Sequence, residues 1–137
     1  MSDTEGFQLH ERLAADTLHV QDWPLSRVLL MNDARYWWAV LVPRRIGLTE
    51  IHDLSAADQS VLVGEVSRAS RGLKRLSEAA KINVGALGNL VPQLHIHVVA
   101  RFANDPAWPG PVWGHSAPEA FPTAGANARV ACLRAHL

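Results

Sequence analysis

Gln93-Leu94-His95-Ile96-His97-Val98-Val99 begins the most regular stretch of the chain. Polar and apolar side chains alternate from its first residue, and residues 93–102 read as one strand. On a strand, alternate side chains share a face. Gln93, His95, His97, Val99 and Arg101 therefore point one way, and Leu94, Ile96, Val98 and Ala100 the other. The apolar face needs a layer packed on it. On the opposite face two imidazoles sit side by side, roughly 6.5 to 7 Å apart at Cα.

The covering layer lies upstream. Val61, Leu62, Val66, Ala69, Leu73 and Leu76 recur at three- and four-residue spacing, one apolar stripe of a long helix. Gln59, Glu65, Arg68, Arg71, Lys74 and Arg75 fall mostly elsewhere. Ser55 and Asp58 have the spacing of a reciprocal capping pair. Before the helix, residues 17–22, 26–31 and 37–42 read as strands, the last two nearly continuous apolar runs suited to burial on both faces. Trp23-Pro24, Asn32-Asp33 and Pro43 end them in turn. Residues 81–86 give a further strand and residues 88–92 a loop. The pattern predicts an α+β fold: about five antiparallel strands with one long helix packed across one face.

The ends of the chain differ in character. Residues 1–16 read as a loose start and a short helical piece. Residues 103–125 hold five of the eight prolines together with Trp108 and Trp113, and predict an extended covering segment. Val130, Leu133 and Leu137 predict a short final helix over 127–137. With 137 residues, the chain is read as a single domain, its core at about 18–102 and its covering segment at 103–137.

Composition narrows the function. Lys plus Arg equals Asp plus Glu at 13 each, which argues against a nucleic-acid or anionic-membrane partner but leaves room for a small nucleotide in a local pocket. The longest apolar run, residues 36–42, is far too short to span a bilayer. The polar, acidic start and the lone Cys132 fit a cytoplasmic protein, and one cysteine excludes a Cys-x-x-Cys motif.

Three readings of the His95–His97 pair stay open on residues alone. They are solvated histidines on a half-exposed face, two ligands of a zinc or iron site, or a phosphorus nucleophile with its helper. A metal site needs a third ligand, and His10, His19, His52, His115 and His136 fall at no suggestive spacing. A nucleophilic imidazole needs its second nitrogen held, and donors for the phosphate oxygens.

The stretch 93–99 resembles the signature of the histidine triad (HIT) family: His, any residue, His, any residue, His, then two apolar residues. The order of elements over roughly residues 18–102 is similar too, and the pattern looks like a bacterial branch with Gln at the first triad position. The resemblance implies a HIT-like fold and a homodimer. It also implies a nucleotide hydrolase or transferase acting at an α-phosphate through a nucleotidyl-histidine, with no cofactor or metal. Candidate substrates are nucleoside phosphoramidates and dinucleoside polyphosphates. It places the nucleophile on His95, phosphate binding on His97 and support of the nucleophile on Gln93. Asn32 or Asp33 would hold the ribose, and Asn83 and Asn89 would lie near the phosphate and leaving group. Gln93 departs from the signature because an amide cannot relay a proton at neutral pH. Leu90 departs where many members carry Ser or Thr. Nucleotide binding with weak catalysis therefore stands as an alternative, as does a metal-dependent hydrolase built on the His-x-His pair.

Overall fold

A computed structural model describes residues 4–137. A short helix α1 (Glu11–Asp16) leads into strands β1 (Thr17–Asp22), β2 (Ser26–Met31) and β3 (Trp37–Pro43). The long helix α2 (Ala56–Ser77), strands β4 (Lys81–Gly85) and β5 (Ile96–Arg101), and the final helix α3 (Thr123–His136) follow. The strands form one antiparallel sheet in the order β1-β2-β3-β5-β4. This is the α+β architecture that the pattern of elements predicts, five antiparallel strands with one long helix across one face.

Both faces of the sheet are buried, each for its own reason. Val28, Leu30, Leu41, Ile96 and Val98 pack under Leu62, Ala69 and Leu73 of α2 and Leu133 of α3. On the other face Leu29, Trp38, Val40 and Val99 meet Leu13 of α1, Val91 and Val112. Helix α1, Val91 and the segment around Val112, rather than a second long helix, cover the face that carries the histidines.

Several local expectations are revised. Strand β5 begins at Ile96, not at residue 93. Residues 93–95 leave the ladder, and the amide of Leu94 donates instead to the carbonyl of Leu48 at 3.0 Å. Helix α3 starts four residues before the predicted 127, which shortens the extended segment. Ser55 Oγ accepts from the Asp58 amide at 3.1 Å. The reciprocal half of that cap gives way to a bidentate ion pair, with Arg45 donating to the Asp58 carboxylate at 2.8 and 3.2 Å.

Glu65, expected on the polar face of α2, is buried (6% exposed). Its carboxylate accepts from the amides of Leu25 and Ser26, each at 3.0 Å. It thereby satisfies donors at the start of β2 and pins the helix to the sheet. Gly72 lets the last residue lie close to α2: a Cβ there would fall 2.5 Å from Leu137 Cδ1, and that side chain would have to turn aside.

Candidate active site

His97 sits on the interior strand β5, flanked in the sheet by Val40 of β3 and Gly85 of β4. Its ring lies between the indoles of Trp38 and Trp113, each with its centroid 5.6 Å away. Trp38 Nε1 donates to His97 Nδ1 at 3.0 Å. An indole can only donate, so Nδ1 of His97 carries a lone pair. Burial, with a smaller contribution from His95, lowers the His97 pKa to about 3. The ring is therefore neutral at physiological pH, and its single proton sits on Nε2.

His95 is held in the opposite sense. Its Nδ1 lies 2.7 Å from the backbone carbonyl of Gln93. A carbonyl can only accept, so Nδ1 of His95 carries the proton and Nε2 the lone pair. The two rings meet edge to face with centroids 4.9 Å apart. The start of β5 and the residue just before it thus present a donor N–H and an acceptor nitrogen side by side.

Both rings line a cavity of about 650 Å³, within the range of small-molecule sites. The 87–91 loop, Trp113 and residues 114–120 of the covering segment complete its walls together with α1. Gly85 lets Trp113 lie against β4, since a Cβ there would be 2.9 Å from the indole. Gly88, with φ +78, turns the loop at the rim.

The structure brings His95, His97, Asn32, Asp33 and Asn89 together around this cavity. Asp33 is almost wholly buried (2% exposed), and its carboxylate accepts from Arg35 Nε at 3.0 Å and Nη2 at 2.9 Å. Burial pushes its pKa up, but the hydrogen bonds and charge of Arg35 outweigh burial and hold the carboxyl below its ordinary range. Arg35 also donates to Ser116 Oγ and to the carbonyl of Ala117. Asn32 Oδ1 accepts from the amide of Phe121 at 2.9 Å. The pair expected to face a ribose therefore also anchors the covering segment.

Two of the expected site side chains lie outside the lining of this cavity. Asn83 Oδ1 accepts from Arg101 Nη1 at 2.7 Å. The Gln93 amide bonds to backbone at residues 8 and 10, so it is the carbonyl of Gln93, not its side chain, that meets His95. Arg101, at the far end of the histidine face, is 1% exposed. Its guanidinium forms a bidentate pair with Asp105 at 2.8 and 3.0 Å and donates to the Gly110 carbonyl.

Sequence reasoning did not find Trp38, α1 or residues 114–120 as parts of the site. The register that sets Trp38 on the face of His97 is a property of β3–β5 pairing, which the alternation within one strand does not encode. Among the described residues, no group of three or more His, Cys, Asp or Glu gathers as a metal site would require. No helix among them is long and apolar enough to cross a membrane.

Compared with family models, the chain matches the HIT domain over residues 12–104. Among solved structures it is similar to the histidine triad protein blr8122 of Bradyrhizobium japonicum, at 47% identity over 95% of this chain and 97% of that one, with a TM-score of 0.92. It is similar also to the HIT protein SMc02904 of Sinorhizobium meliloti 1021, at 42% identity over 98% and 99% of the two chains, TM-score 0.95. A histidine triad protein of Marinobacter aquaeolei VT8 aligns at 47% identity over 94% of each chain, TM-score 0.92. Comparison with curated proteins gave no match.

Proposed function

Because the chain belongs to the HIT domain family, whose members are nucleotide hydrolases or transferases, we propose that it cleaves or transfers at the α-phosphate of a nucleoside phosphate derivative through a nucleotidyl-histidine on His95. The observation that carries this reading is the pair of opposite tautomers. Gln93 fixes His95 with its Nε2 lone pair available, and Trp38 fixes His97 with its Nε2–H available.

In the first step Nε2 of His95 attacks phosphorus, and the bond from phosphorus to the leaving group breaks. The leaving group departs with the electron pair and takes up a proton from solvent water. The imidazole becomes cationic, and the Gln93 carbonyl at Nδ1–H stabilises that charge. His97 donates from Nε2 to a non-bridging oxygen as negative charge builds there; one such donor is commonly worth 10²–10³ in rate. Water then attacks phosphorus, the N–P bond breaks, and the nucleoside monophosphate leaves with His95 restored. Asn32 or Asp33 receives the sugar, and Asn89 lies toward the leaving group. Asn83 acts only indirectly, through the Arg101 cluster.

Steady-state assay with an adenosine phosphoramidate and with a dinucleoside polyphosphate tests this directly. The wild type turns over at least one of them. His95→Ala abolishes turnover and leaves nucleotide affinity within about tenfold, because the nucleophile works chiefly in the transition state. Undiminished turnover in that variant removes the assignment.

One observation favours a second reading, nucleotide binding with slow turnover. The Gln93 side chain is spent on residues 8 and 10, so it relays no proton to a leaving group. Binding of several nucleotides with no turnover of any would select it.

A homodimer also belongs to this reading. Strand β4 is an edge strand, and the apolar side chains Val84, Leu87 and Leu90 on and beyond it are exposed, Leu90 by 78%. Sedimentation at micromolar concentration decides between dimer and monomer.

A further inference from the structure

Helix α1 runs along the cavity, pinned at both ends. At its start the amide of His10 donates to Gln93 Oε1 at 2.8 Å, and Gln93 Nε2 donates to the Gln8 carbonyl at 2.9 Å. At its end the Asp16 carbonyl accepts from the amide of Asn32 at 3.0 Å. Between the anchors Leu13 is buried in the apolar cluster that contains Trp38. One end is thus fixed two residues before His95, and the other at the residue read as facing the sugar. Arg12, next but one to the Gln93 anchor, lines the same cavity.

Two guanidinium groups line that cavity among the described residues, and they differ in what they have left to give. Arg35 is consumed by Asp33, Ser116 and Ala117. Arg12 approaches only the Asp16 carboxylate, at 3.6 Å, with the two side chains 58% and 54% exposed. An exposed pair of that length holds weakly. Arg12 is the cation free to meet a ligand, and it lies two residues from the His10 amide that Gln93 holds.

Resting on the nucleotide reading above, we propose that α1 is a selectivity wall: Gln93 docks it, and from it Arg12 meets an anionic extension of the substrate beyond the phosphorus that His95 attacks. Polyphosphate leaving groups are then preferred over uncharged ones. Gln93 is a positioning residue, and its amide takes the place of a proton relay with a clasp. Arg12 forms no bond to the transferred group and changes no step of the displacement. It acts by Coulombic attraction and hydrogen bonds to phosphate oxygens.

The test compares diadenosine tetraphosphate with an adenosine phosphoramidate that has an uncharged leaving group, in wild type, Arg12→Gln and Gln93→Leu. The ratio of kcat/KM for the first substrate over the second falls by about tenfold in both variants, chiefly through KM of the polyphosphate. Amide exchange at residues 8–13 speeds up in Gln93→Leu and stays as in wild type in Arg12→Gln. An unchanged ratio in Arg12→Gln overturns the role of Arg12, and unchanged exchange in Gln93→Leu overturns the clasp. A loss confined to kcat in Gln93→Leu would assign Gln93 to the chemistry instead.

Failure of the nucleotide reading looks different, since the wild type then turns over neither substrate. In that case exchange still decides the clasp. Binding of inorganic tripolyphosphate then decides Arg12: binding weakened about tenfold in Arg12→Gln supports the site, and equal binding overturns it.

Discussion

Trp38 donates its indole N–H to Nδ1 of His97 across 3.0 Å, from the neighbouring strand of the sheet. This one hydrogen bond decides which His97 nitrogen faces the cavity with a proton. Trp38→Phe keeps an aromatic body but removes the donor, so neutral His97 samples both tautomers. Expected are a fall in kcat of about 10- to 100-fold with KM little changed, and a stability loss of about 1 kcal/mol. Steady-state kinetics and denaturant titration measure the two. An unaltered kcat would mean that Trp38 only packs.

Burial of neutral His97 makes stability depend on pH. Its pKa is about 3 when folded and 6.5 when exposed. Below pH 6.5 the unfolded chain therefore binds a proton that the folded chain refuses. The stabilising contribution is complete above pH 6.5 and declines as pH falls toward 3. At about 1.4 kcal/mol per pH unit, the loss reaches about 2 kcal/mol by pH 5. Asp33 and Asp105 are also held low, and each adds its own loss only below its ordinary value of 3.8. Urea titrations between pH 7.5 and 4.5 isolate the His97 effect, and His97→Gln flattens the slope. An equal slope in that variant would refute it.

Glu65 gives a prediction far from any chemistry. Its two carboxylate oxygens each accept one backbone N–H, from Leu25 and Ser26. Glu65→Gln sets an amide N–H₂ against one of those donors in a buried place. The expected cost is about 1–3 kcal/mol in unfolding free energy, seen as a lower urea midpoint with an unchanged m-value. A neutral result would mean that the two amides find water.

The Arg101–Asp105 pair is the most buried ion pair of the described residues, with side chains 1% and 5% exposed. Asp105→Ala leaves a buried guanidinium with the acceptors of Asn83 and Gly110 but no counter-charge. A loss of about 3–5 kcal/mol follows. Arg101→Met with Asp105→Leu is expected to recover part of it, since removing both charges removes the desolvation penalty while the amides of Phe102, Ala107 and Trp108 still lose their acceptor. Failure of the double variant to exceed the single one would contradict this view.

The fold was legible where one element reports on itself. Alternation around His95 and His97 placed them on one face, and the spacing of Leu62, Ala69 and Leu73 placed α2 on the other. Failures occurred where a side chain finds its partner far along the chain. Gln93 bonds to residues 8 and 10, Glu65 to residues 25 and 26, and nothing local distinguishes either from a surface residue. Arg101 is buried because residues 105–110 fold back over it, a path set by the covering segment and not by β5. Asn32 and Asp33 were legible as candidates, but not their engagement by residues 116–121.

Rapid quench of the wild-type protein with a radiolabelled nucleotide substrate, followed by peptide mapping, addresses the central claim most directly. An acid-labile, base-stable nucleotidyl group on His95 that forms and decays at the turnover rate is the predicted result. Turnover with no protein-bound label at any time, or label on another residue, would contradict it.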